Sequence, residues 1–128
     1  MKWEKATPQL KDLFAKLLPD APIIERRQMF GLPCAFVNGH MFAGCFGLNS
    51  IILRLSESQR DEFLGLDGAA RFEPSPGRIM KEYVVAPQWM MTDEPVLAGW
   101  LHLAIAFTAS LPPKTKRVPA TRLKRQAL

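Results

Sequence analysis

Residues 29–54 read MFGLPCAFVNGHMFAGCFGLNSIILR. Two apolar runs flank Asn38-Gly39, a pair suited to a two-residue type I′ hairpin turn, in which both central residues need positive φ. A third run, Ile51 to Leu55, follows a second turn over Gly47-Leu48-Asn49-Ser50. The stretch is therefore expected to form a three-stranded antiparallel meander. Between Gly31 and Leu53 there is no Asp, Glu, Lys or Arg. Such a segment reads as the buried centre of a domain, not as a reactive surface.

The segments on either side carry clear start and stop signals. Thr7-Pro8 opens a helix, with Thr as N-cap and Pro at the first helical position. Leu10, Leu13, Phe14, Leu17 and Leu18 follow at the spacing of one helical face, and Pro19 and Pro22 end it. A polar strand over about Ile24 to Met29 then leads into the meander. Its Glu25-Arg26-Arg27-Gln28 run suits an edge strand blunted by charge, or a surface that meets a partner.

After the meander, Ser56 and Gln59 are spaced as a capping box for a short helix reaching about Leu64. A short strand near Ala70 to Glu73, a turn at Pro74-Ser75-Pro76-Gly77 and a strand from about Met80 to Ala86 come next. Thr92 or Asp93 caps a last helix. In it Val96, Leu97, Trp100, Leu101, Ala104, Ile105, Phe107 and Leu111 fill more than one narrow stripe, so deep burial against the sheet or a second subunit is expected. The order is α-β-β-β-β-α-β-β-α, an α+β arrangement of an antiparallel sheet with helices packed on one face.

At 128 residues the chain has the size of a single domain. A chain of that length buries roughly two-thirds of its unfolded surface and needs no metal or disulfide staple. No run of about 18 apolar residues is present, so no membrane span is expected. The charged N-terminus MKWEKATPQLKDLF lacks a signal core, so a cytoplasmic location is expected.

The net charge of +5 is unevenly spread. Residues 1–111 hold 11 Lys and Arg and all 12 Asp and Glu, whereas residues 112–128 hold six cations and no acid. The expected organisation is a near-neutral domain over 1–111 followed by a basic, flexible tail over 112–128. A neutral body argues against a broad nucleic-acid footprint on the domain. The tail cations Lys114, Lys116, Arg117, Arg122, Lys124 and Arg125 suit either non-specific phosphate contacts or simple solubilisation.

Little in the chain points to catalysis. The cysteines, Cys34 and Cys45, fall on the two arms of the hairpin. Uninterrupted pairing sets Cys34 opposite Ala43 and makes Cys45 a diagonal neighbour at roughly 7 Å. That is too far for a disulfide, so both read as buried thiols. His40 and His102 are the only histidines, and no Cys/His cluster has zinc spacing. Asp61-Glu62 and Asp93-Glu94 are adjacent pairs that diverge on helices. No GxGxxG, P-loop or GxSxG is present. No cofactor or metal is expected, and the chain reads as non-enzymatic.

The best site candidate is Gly77, Arg78 and Lys81, where a turn amide and two cations suit an anion; the plain alternative is a turn glycine with solvated charges. Phe30, Phe36, Phe42, Phe46, Phe72 and Tyr83 either pack the core or line a pocket. Met29, Met41, Met80, Met90 and Met91 either fill the core or form an adaptable interaction surface.

Three pieces carry a family resemblance: Arg27-Gln28-Met29-Phe30-Gly31, the hairpin Asn38-Gly39-His40-Met41-Phe42-Ala43, and Gly77-Arg78-Ile79-Met80-Lys81-Glu82-Tyr83-Val84. Their order and spacing, with the closing Trp100–Ala109 and Ser110-Leu111-Pro112-Pro113-Lys114, resemble the TfoX/Sxy N-terminal domain over roughly residues 8–114. The resemblance implies a secretion-chaperone-like fold, a curved antiparallel sheet with helices packed on it. It is similar to short stand-alone members, which implies a chain expected to lack the helical domain that in the competence regulators is linked to transcriptional co-activation. One departure is Leu32-Pro33 after Met-Phe-Gly: Pro33 removes a ladder donor, so the strand start is expected at an edge or a bulge. The expected function is regulatory or protein-binding. A homodimer is expected through the last helix, with Leu103 and Ile105 outward, or through a sheet edge. Nucleic-acid binding through the tail is the alternative.

Overall fold

The computed structural model describes residues 7–29, 31–47 and 49–112. Nine expected elements are found in the expected order. They are α1 (Pro8–Leu17), β1 (Glu25–Met29), β2 (Leu32–Val37), β3 (His40–Phe46), β4 (Ser50–Arg54), α2 (Glu57–Leu64), β5 (Ala70–Ser75), β6 (Arg78–Val85) and α3 (Glu94–Ser110). The strands form one antiparallel sheet, ordered β1-β2-β3-β4-β6-β5. The fold is α+β.

Local chemistry explains the boundaries. Asn38 and Gly39 have φ of 54° and 83°, the double positive φ of a type I′ turn. Thr7 caps α1 by accepting from the Leu10 amide, and Ser56 and Gln59 satisfy each other's backbone amides in a complete capping box. Arg26, on edge strand β1, donates to the carbonyls of Ala15 (3.2 Å) and Leu18 (3.3 Å). These are end-of-helix acceptors that α1 itself cannot satisfy. The far end of α3 is tied similarly: Asn38 donates to the Ala109 carbonyl and His40 Nε2 to that of Pro112.

All three helices pack on one face of the sheet. Leu10, Phe14 and Leu18 from the α1 region, Phe63 from α2, and Leu97, Leu101 and Ala104 from α3 join Ala35, Val37, Phe42, Ala43, Ile51, Leu53 and Val84 in one core. Strand alternation sends Ile52, Phe72 and Tyr83 to the opposite face, where Met41, Phe46 and Val85 pack around them.

Several local expectations are corrected. A β-bulge interrupts the β2–β3 register at Ala35/Phe36. Phe42 and Ala43 both enter the helix-side core, and Cys34 faces Gly44 instead of Ala43. Cys45, next in the strand, turns to the helix-side core, so the two thiols face opposite ways; both are free and buried. Pro33 lies outside the β2–β3 register, paired only with Gln28 of β1. Pro74 and Ser75 belong to β5, leaving Pro76-Gly77 as the turn.

A 3-10 helix, Gln88–Thr92, precedes α3. Thr92 donates back to the Trp89 carbonyl within it, and Asp93 caps α3 without a side-chain bond. Helix α3 is less buried than its composition suggests. Only Leu97, Leu101, Ala104 and Thr108 are fully enclosed, and Leu103 is 41% exposed while Ile105 packs on the core.

Candidate functional site

The helix-free face of the sheet holds a cleft of about 240 Å³. Its walls come from all six strands and are almost wholly apolar: Met29 of β1, Cys34 of β2, Met41 and Phe46 of β3, Ile52 of β4, Phe72 of β5 and Met80 of β6. Gly44 forms part of the floor. A Cβ there would come within 3.2 Å of the Cys34 Cβ, so the absent side chain is what keeps the floor low.

The cleft walls are well supported. Phe46 and Phe72 meet edge to face at 4.9 Å between centroids, and Phe72 meets Tyr83 at 6.4 Å. The Tyr83 hydroxyl donates to the Met41 carbonyl at 2.8 Å, tying β6 to β3 across β4. Arg54 bonds Glu82 (Nε to Oε1, 2.7 Å) and lies over the Tyr83 ring. Burial pushes the Tyr83 phenol above its ordinary range, with Arg54 partly opposing. Desolvation also raises both thiols, Cys45 to about 12, so neither is an activated nucleophile.

At the rim, Met29 and Met80 are each 40% exposed. Methionine is unbranched and polarizable, and it adapts to apolar partners of varied shape. A narrow apolar cleft with a yielding rim suits capture of bulky apolar side chains.

The Gly77 amide, at φ 80°, donates to the Glu73 carboxylate at 2.7 Å. Lys81 lines a separate mixed-charge groove with Glu57, Arg60, Asp61 and Arg71, a set that does not include Arg78. Lys114, Lys116, Arg117, Arg122, Lys124 and Arg125 lie outside the described residues, as does Phe30.

A third hollow lies between α1 and edge strand β1, where Arg26, already committed to the helix carbonyls, forms part of the wall. No group of three or more His, Cys, Asp or Glu is placed to hold a metal among the described residues. No helix among them is long and apolar enough to cross a membrane.

The cleft itself was not legible from the sequence, because its walls come from strands far apart in the chain. The signal available was the recurrence of Met and aromatic residues on β1, β3, β5 and β6.

No curated protein and no solved structure matches the chain. The family model of the TfoX N-terminal domain matches residues 12–108, which spans every element from within α1 to within α3. The chain belongs to the TfoX N-terminal domain family.

Proposed function

We propose that this chain is a non-catalytic protein-binding domain of regulatory type, which takes bulky apolar side chains of a partner into the cleft on its helix-free face. The observation that carries the reading is the cleft's composition: Met29, Met41 and Met80 with Phe46 and Phe72, on a sheet face that no helix covers. Monomeric proteins bury most such clusters, and one left open marks a contact surface. The raised thiols and the absence of a convergent polar set among the described cleft residues support a binding role over a chemical one.

Peptide display against the immobilised full chain tests this. Selected peptides should carry bulky apolar anchors and lose at least tenfold in affinity to Met80→Asp, while binding Leu103→Asp on α3 unchanged. Peptides that bind Met80→Asp undiminished, or that are lost with Leu103→Asp, would overturn the reading.

A further inference from the structure

Among the described residues, the two edges of the sheet are built differently. Edge strand β5 carries Pro74 and breaks register at Arg71/Phe72 and at Phe72/Ser75, and proline and bulges are devices that block addition of a further strand. Edge strand β1 has neither device. It pairs with β2 through five successive residues without a register shift, holds no proline or glycine, and exposes all of its side chains. Pro33, opposite Gln28, has no amide to donate, so Gln28 and Pro33 form a non-hydrogen-bonded pair, and by alternation so do Arg26 and Ala35. The main-chain N–H and C=O of Arg26 and Gln28 therefore point away from β2, to the outside of the sheet.

We infer that β1 is an interface with a second copy of this chain, added antiparallel across a two-fold axis at Arg26. The charges select this register. Centred on Arg26, Glu25 faces the partner's Arg27 and Arg27 faces the partner's Glu25. Centred on Glu25 or on Arg27, like charges meet; centred on Gln28, Glu25 lies beyond the partner's strand. Within one chain Glu25 and Arg27 bond each other at 2.8 Å, both half exposed, and the pairing gives each a second partner directly opposite. Arg26 exchanges main-chain hydrogen bonds with the partner's Arg26, and the Gln28 amide donates to the partner's Ile24 carbonyl. The two Arg26 guanidinium groups do not meet, because each turns back to the Ala15 and Leu18 carbonyls of its own α1.

The same pairing covers apolar surface. Carried two residues past Glu25, the register brings Ile23, 60% exposed, beside the partner's Met29 at the cleft rim. Opposed residues share a sheet face, so the two helix-free faces join into one surface with a cleft on each side of the axis. Each copy then supplies Ile23 to the rim of the other's cleft. The hollow of about 470 Å³ between α1 and β1 sets the helix back from the edge and leaves room for the added strand.

This interface goes beyond the proposed function and does not rest on it. Sedimentation equilibrium of the full chain, from low to high micromolar concentration, should show monomer and dimer in exchange. Glu25→Arg alone, or Arg27→Glu alone, should weaken the dimer at least tenfold, because each sets like charges opposite one another. The exchange Glu25→Arg/Arg27→Glu should restore it. An equimolar mixture of the two single variants should form a mixed dimer, since each supplies the charge that the other lacks, a rescue that a folding defect could not give. Leu103→Asp on α3 should leave the dimer intact. So should Met80→Asp, which is expected to remove peptide binding, so the two readings fail separately. A wild-type chain that stays monomeric throughout, single variants that associate like wild type, a mixture of them that stays monomeric, or a dimer lost with Leu103→Asp would each overturn the inference.

Discussion

Cys34 and Gly44 face each other across β2 and β3, and a Cβ added to Gly44 would stand 3.2 Å from that of Cys34. The bulge beside them brings this pair together, and the pair sets the depth of the apolar cleft. Gly44→Val should therefore overpack the floor. The expected cost is about 1–3 kcal/mol, read as a lower urea midpoint, together with weaker peptide binding. An unchanged midpoint would mean that the floor yields freely.

Arg26 links the edge strand to the end of α1 through two carbonyls. Arg26→Ala should cost about 1 kcal/mol or slightly more, because two hydrogen bonds from a charged group are lost. Lys16→Ala, which breaks an exposed ion pair with Glu94, should cost less than about 0.5 kcal/mol. Urea unfolding of the two variants side by side gives the comparison.

Thr108 is fully buried in α3, and its hydroxyl has no hydrogen-bond partner among the described residues. Replacing it with valine keeps the shape and removes an unsatisfied polar group. Thr108→Val should stabilise the protein by up to about 1 kcal/mol, seen as a higher melting temperature. A fall in stability would show that the hydroxyl has found a partner in solution.

Tyr83 and Cys45 make the fold sensitive to alkali. Burial raises the folded-state pKa of both, from ordinary values of 10.0 and 9.0. The unfolded chain gives up these protons first, so their contribution is complete below about pH 9 and is lost as pH rises toward 12. Tyr83→Phe should be less stable at pH 8 by about 1 kcal/mol, through loss of the bond to the Met41 carbonyl, and its stability should fall less steeply above pH 10. Equal slopes for variant and wild type would contradict this.

Much of the fold is legible locally. The Asn38-Gly39 turn, the Thr7 cap and the Ser56/Gln59 box are interactions within four residues, and each forms where its chemistry requires. The charged β1 segment lies at a sheet edge, where its exposed side chains need no burial. What escapes the sequence is non-local. The bulge near Phe42 leaves no trace in composition, yet it moves Cys34 from Ala43 to Gly44. Helix α3 is apolar around most of its circumference, but only the stripe through Leu97, Leu101, Ala104 and Thr108 is fully buried, with Val96, Trp100, Ile105 and Ala109 partly covered beside it. The cleft depends on which strands neighbour one another, and above all on β6 inserting between β4 and β5.

Methionine methyl NMR tests the binding account most directly. With the ε-methyl carbons labelled in the full chain, a display-selected apolar peptide would be titrated in. The account expects saturable shifts at Met29, Met41 and Met80, with Met90 in the opposite core nearly unmoved. A peptide that binds while those three methyl signals stay in place would contradict it.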